Sequence, residues 1–150
     1  MQKLKMGDQE IAAIARMMRR VELFAPLTIK QMESVLPYIL LCSFPPSAVV
    51  FKQGTPGDAF YIVYEGRVSV RINKGFFSPS KEIATLKPGD FFGEMALLSK
   101  DPRAATVACI EPTKLFVLLA TDFSFILKEN PAFAAQMQKL QERRKFDATH

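Results

Sequence analysis

The chain has 150 residues, 49% apolar and 23% charged, an ordinary globular balance with enough length for one domain and a real core. No apolar run approaches the ~20 residues of a membrane helix, and Met1-Gln2-Lys3-Leu4-Lys5-Met6-Gly7 lacks the apolar stretch of a secretory signal, so a cytoplasmic setting is expected. The formal net charge of +5 (20 basic, 15 acidic residues) favours an anionic ligand without requiring nucleic acid.

Asp8 is placed to cap a first helix, along which Ile11, Ile14, Ala15, Met18 and Val21 recur at helical spacing. Arg16, Arg19 and Arg20 fall on its other faces as a solvated or partner-facing surface, without the interleaved aromatics of a nucleic-acid stripe. Thr28 followed by Gln31 forms a capping box, with Leu27 and Met32 as the flanking hydrophobic staple. The helix it opens begins near Ile29 and ends before Pro37, because the residue ahead of proline resists the α conformation.

From Tyr38 to Leu119 the pattern changes to short strands. Residues 38–44 and 48–51 are apolar and β-rich, split by Pro45-Pro46. Residues 59–64 and 67–72 flank Glu65-Gly66, and the second run alternates as a half-buried strand should. Residues 53–58 and 87–90 are turns by composition, 73–80 read as an exposed loop, and 104–110 and 114–119 supply the last two strands. Cys42 and Cys109 lie far apart in apolar runs, which predicts buried free thiols. Roughly eight strands with frequent Gly/Pro turns predict a mainly β fold, a jelly-roll-like β-roll. Thr121 or Asp122 is placed to cap a helix over 123–128. Asn130 then caps another, with Pro131 at its first position. Phe133, Met137, Leu140 and Arg144 share one face of that last helix. The whole reads as one domain: N-terminal helices over 8–36, a roll over 38–119 and C-terminal helices over 121–146.

The most informative stretch is Phe91-Phe92-Gly93-Glu94-Met95-Ala96-Leu97-Leu98, then Ser99-Lys100-Asp101, then Pro102-Arg103-Ala104-Ala105-Thr106-Val107. Gly93 lets backbone approach a ligand closely. A helical turn from Glu94 to Leu98 would aim unpartnered N–H groups at an anion. Arg103 offers a planar, permanently charged fork suited to phosphate. Ionised Glu94 only accepts hydrogen bonds, which suits sugar hydroxyls. The set fits a small molecule carrying both.

This segment resembles the phosphate-binding cassette of the cyclic nucleotide-binding domain family, which includes catabolite activator proteins, regulatory subunits of cAMP-dependent kinase and cyclic-nucleotide-gated channels. The shared pattern is Phe-Gly-Glu-x-Ala-Leu, a short loop, then Pro-Arg and small residues. Gly54, Gly57-Asp58 and Glu65-Gly66 match glycine turns of the same family, so the likeness runs from about Val21 to Arg144. It implies an eight-stranded roll with N-terminal helices and two C-terminal helices, hinge and lid. It implies that Arg103 pairs with the exocyclic oxygens of a cyclic phosphate, helped by the amides of Ala96 and Ala104. Glu94 accepts from the ribose 2′-hydroxyl, and Gly93 and Met95 line the sugar side. Val70, Phe91 and Ala84 pack on the purine, while Ala105 keeps its strand close to the ligand. Arg144 leads as the lid residue, ahead of Arg143 and Leu140; the other reading of Arg143-Arg144-Lys145 is a favourably charged helix end. Guanine-preferring members often carry Thr after the arginine. Ala104 has no hydroxyl, so cAMP is expected to bind better than cGMP.

Rival classes fare worse. A metal-dependent enzyme on a β-roll needs clustered histidine and carboxylate ligands, and the only histidine is His150; no catalytic residue, metal or cofactor is expected beyond the nucleotide. A ligand-independent interaction module on the same fold typically lacks the cassette's Glu or Arg, and both are present. Six residues follow Arg144, too few for a helix-turn-helix. The expectation is a stand-alone, bacterial-like sensor whose effector is another protein or a missing domain, with the last helix able to support a homodimer.

Overall fold

The computed structural model describes residues 1–75 and 79–149, with 144–149 as backbone. Nine strands occur among the described residues: β1 (Gln2–Leu4), β2 (Leu40–Phe44), β3 (Val49–Phe51), β4 (Ala59–Glu65), β5 (Val68–Ile72), β6 (Lys81–Leu86), β7 (Phe91–Phe92), β8 (Thr106–Cys109) and β9 (Thr113–Leu119). Four helices flank them: α1 (Asp8–Met18), α2 (Ile29–Val35), α3 (Ala120–Glu129) and α4 (Pro131–Thr149). Two short 3₁₀ turns, Leu36–Tyr38 and Glu94–Leu97, complete the set. The strands form two antiparallel sheets, β1-β2-β9-β4-β7 and β3-β8-β5-β6. Mainly β with flanking helices is the architecture the sequence predicts.

The five-stranded sheet is buried on both faces. Leu41, Phe60, Ile62, Phe116 and Leu118 face a core shared with the helices. Cys42, Tyr61, Val63, Leu115 and Val117 face the other sheet. That explains why 59–63 and 115–118 read as unbroken apolar runs instead of alternating: a strand covered on both sides has no polar face. Phe24, Phe60, Phe123 and Phe133 are almost wholly buried and meet ring to ring across the helix–sheet boundary.

Several local readings hold. Thr28 Oγ1 accepts from Gln31 N–H at 3.1 Å and Gln31 Oε1 accepts from Thr28 N–H at 3.0 Å, the reciprocal pair of a capping box. Leu27 and Met32 are both buried beside it. α2 ends at Val35, ahead of Pro37. Both cysteines are buried free thiols, and burial pushes both up from their ordinary value.

Other readings need correction. The cap of α1 is Gly7, not Asp8; Gly7 N–H donates to Glu10 Oε2 at 3.0 Å, and Asp8 sits in the first turn. α3 starts directly from β9 with Leu119 as its cap, so neither Thr121 nor Asp122 serves. At the start of α4 the reading holds: Pro131 is its first residue and the Asn130 carbonyl accepts from Ala134 N–H at 2.9 Å, while the Asn130 side-chain amide also donates back to Ile126 O at 2.7 Å in α3. Tyr38 belongs to a 3₁₀ turn, and β1, β6 and β7 are additional to the runs read as strands. The expected loop over 73–80 lies partly outside the described residues.

Candidate functional site

Phe91 and Phe92 add a short edge strand to β4, in the register Tyr61↔Phe92 and Ile62↔Phe91. The chain then turns at Gly93, whose φ of 78° lies in the left-handed region and favours glycine. The 3₁₀ turn follows at once with Glu94 at its start. A Cβ at Gly93 would lie 2.7 Å from Arg103 Nη1 and 3.1 Å from Ala59 O, so glycine is required here on conformational and steric grounds together.

Arg103 is fixed from the opposite side. Its N–H donates to Thr55 O at 2.8 Å, and its carbonyl accepts from Gly54 N–H at 2.8 Å. A Pro56–Pro102 bridge extends this pairing. The glycine turn before β4 is therefore what holds the arginine's backbone. The Arg103 side chain is buried, with 7% of the residue exposed. Nη2 donates to Ala59 O at 2.7 Å and to Asp58 Oδ1 at 3.2 Å. Its Nε is buried with no acceptor among the described residues. The guanidinium carbon lies 3.9 Å from the centre of the Phe51 ring and 5.9 Å from that of Tyr61. Asp58 is 79% exposed at its side chain, so it pairs with Arg103 from solvent, where such contacts contribute at most about 1 kcal/mol.

These elements enclose a cleft of about 550 Å³, within the ~300–1,000 Å³ range of small-molecule sites. Val70, Phe91, Gly93, Glu94, Met95, Ala96, Arg103, Ala104 and Ala105 all line it. Phe51, Gly57, Phe92, Asp101, Pro102 and Val107 line it too and were not foreseen as contacts. Ala84, paired with Val70 across β5–β6, is not among the lining residues. The Ala96 amide donates to Gly93 O at 3.1 Å, closing the 3₁₀ turn. Ala104 is exposed to the cleft.

The last helix does not reach the cleft with any described side chain. Phe133 and Met137 are buried in the helical core and Leu140 packs against it; Arg143 is exposed. The side chain of Arg144 lies outside the described residues. Among the described residues no His/Cys/Asp/Glu group could hold a metal ion, and no helix is long and apolar enough to cross a membrane.

The comparisons with known proteins agree with one another. Residues 41–130 match the family model for the cyclic nucleotide-binding domain. The chain is 31% identical over 128 residues to a cyclic AMP receptor protein from Thermus thermophilus, covering 85% of this chain and 58% of that protein. It is 38% identical over 95 residues to a cyclic nucleotide-gated potassium channel from Rhizobium etli, covering 63% of this chain and 25% of the channel. The chain thus spans from a quarter to little more than half the length of these relatives. The regulatory domain of Toxoplasma gondii PKA, solved with cAMP, superposes with a TM-score of 0.73 at 28% identity, over 83% of this chain and 47% of that one. Fold, cleft and sequence matches together place this chain in the cyclic nucleotide-binding domain family.

Proposed function

We propose that the cleft binds a cyclic mononucleotide, cAMP in preference to cGMP, and that the chain is a cytoplasmic regulatory module rather than an enzyme. The observation that carries this reading is Arg103: a buried guanidinium at the wall of a cleft, its Nε without an acceptor among the described residues and its carboxylate partner standing in solvent. A buried cation needs a counter-charge, and a ring phosphate entering from the cleft supplies one with oxygens for the fork. Glu94, on the 3₁₀ turn, takes the ribose 2′-hydroxyl, with Gly93 and Met95 along the sugar. Val70 and Phe91 pack around the base, Ala105 keeps its strand close to the ligand, and Ala96 and Ala104 border the phosphate. α4 closes over the base through Arg144, and ligand shifts the population toward that closed state, signalling to an effector protein or domain.

Selectivity follows from what is missing. Ala104 has no hydroxyl for guanine's amino group, and Thr106 is not among the residues that line the cleft. In a competition assay against labelled cAMP, unlabelled cAMP should displace at lower concentration than cGMP. A tenfold preference for cGMP would overturn the selectivity. A second reading, a ligand-independent interaction module, takes its support from the Asp58 contact, which already gives Arg103 a partner. A melting temperature unmoved by saturating cAMP would favour it, since ligand that binds only the folded state must raise that temperature.

A further inference from the structure

We infer that Phe51 is a positioning residue for the phosphate-binding arginine: its ring face holds the Arg103 guanidinium in place and charge-compensated at the wall of the cleft. The inference rests on the cyclic-nucleotide reading of this site. Phe51 ends β3, where the register against β8 slips between Val49↔Ala108 and Phe51↔Val107. Such a bulge re-aims a side chain, and here Phe51 lines the cleft. Behind it stand Phe92, with ring centres 5.8 Å away, and Tyr61, at 5.9 Å. Tyr61 and Phe92 themselves stack at 5.0 Å and 12°. The Phe51 ring is tilted against this stacked pair, by 41° to Tyr61 and 51° to Phe92, and the guanidinium carbon lies over Phe51 at 3.9 Å.

The chemistry explains how Arg103 tolerates burial. Among the described residues one nitrogen, Nη2, carries both of its side-chain hydrogen bonds, while Nε is buried without an acceptor. An aromatic face presents negative potential to a cation, most effectively where water is excluded, and arginine's planar group matches it face to face. An aliphatic side chain of similar bulk would fill the space without that potential. A fork fixed in place before ligand arrives also spares the complex the cost of ordering it.

The test is calorimetric titration of cAMP into wild type, Phe51→Leu and Phe51→Tyr, with circular dichroism as the folding check. Phe51→Leu should bind about tenfold more weakly, equivalent to about 1.4 kcal/mol, while Phe51→Tyr, which keeps the ring face, stays within about twofold of wild type. A folded Phe51→Leu that binds like wild type overturns the inference, as does a Phe51→Tyr that loses as much as Phe51→Leu. If Phe51→Leu does not fold, Phe51→Met, a flexible filler without a ring, carries the same comparison. A wild type that gives no heat with cAMP sinks the cyclic-nucleotide reading instead. The stack can then still be read without nucleotide: Phe51→Leu and Arg103→Met should lower the melting temperature by less together than the sum of their separate effects, and simple additivity would refute it.

Discussion

Replacing Gly93 with alanine tests how the turn and the arginine are fitted to each other. At φ 78° a side chain sits in the left-handed region, which costs roughly 1–2 kcal/mol for a residue other than glycine. The new Cβ would meet Arg103 Nη1 at 2.7 Å and Ala59 O at 3.1 Å. The guanidinium has little room to retreat, because Phe51 lies against its face at 3.9 Å. Displacement adds an overpacking cost, of order 1–3 kcal/mol, for a total of about 2–5 kcal/mol. For a domain of this size, at ~2–4 °C per kcal/mol, the melting temperature should fall by roughly 4–20 °C. Cyclic AMP affinity should fall with it, by at least about 30-fold, since a displaced fork forfeits its charge-assisted contact. Gly54→Ala is the internal control: φ there is 86° but nothing among the described residues lies within 4 Å of a Cβ, so it bears the backbone strain alone. Calorimetric melting and cAMP titration of the two variants separate strain from collision. Equal losses in both, or a Gly93→Ala chain that binds cAMP like wild type, would refute the reasoning.

Two further outcomes follow from the packing. Thr28→Ala removes one half of a formed capping box and should cost about 1 kcal/mol, a fall in melting temperature of about 2–4 °C, without changing cAMP affinity; an unchanged melting curve would contradict it. Burial, reinforced by the Asp58 carboxylate and only partly relieved by Arg103, pushes the Tyr61 hydroxyl from its ordinary value of 10.0 up to about 12. The folded state thus favours neutral Tyr61, and the stability this provides is complete below pH 10 and lost as pH rises from about 10 to about 12. Ultraviolet titration of the three tyrosines should show one late phase that Tyr61→Phe removes; a single transition near pH 10 would contradict it.

Much of the fold was legible because local chemistry agreed with the final contacts. The capping box at Thr28 forms with both bonds, and the alternating run around Val68 becomes β5. The cassette residues converge on one cleft because the Gly93 turn and the Pro102-Arg103 segment are short, rigid and close in sequence. What was not legible depends on distant pairing. β1 exists through its register with β2, Gln2↔Ser43 to Leu4↔Leu41, and nothing in a three-residue polar strand announces a partner so far along the chain. Asp58 and Phe51 reach Arg103 only because β3 pairs with β8 and the 54–57 turn bonds to Arg103's backbone. The bulge that aims Phe51 has no local signal at all. At helix ends the misreadings were choices between neighbours: Gly7 over Asp8, and Leu119 over Thr121 and Asp122, because β9 runs straight into α3.

The central claim is that a buried arginine waits in this cleft for a cyclic phosphate. Isothermal titration of cAMP into wild type and Arg103→Ala addresses it most directly. Losing one side of such a pair commonly costs roughly 2–5 kcal/mol, so wild type should bind at a single site and Arg103→Ala should show little or no heat over the same range. An Arg103→Ala chain that is folded and binds cAMP as tightly as wild type would contradict the account.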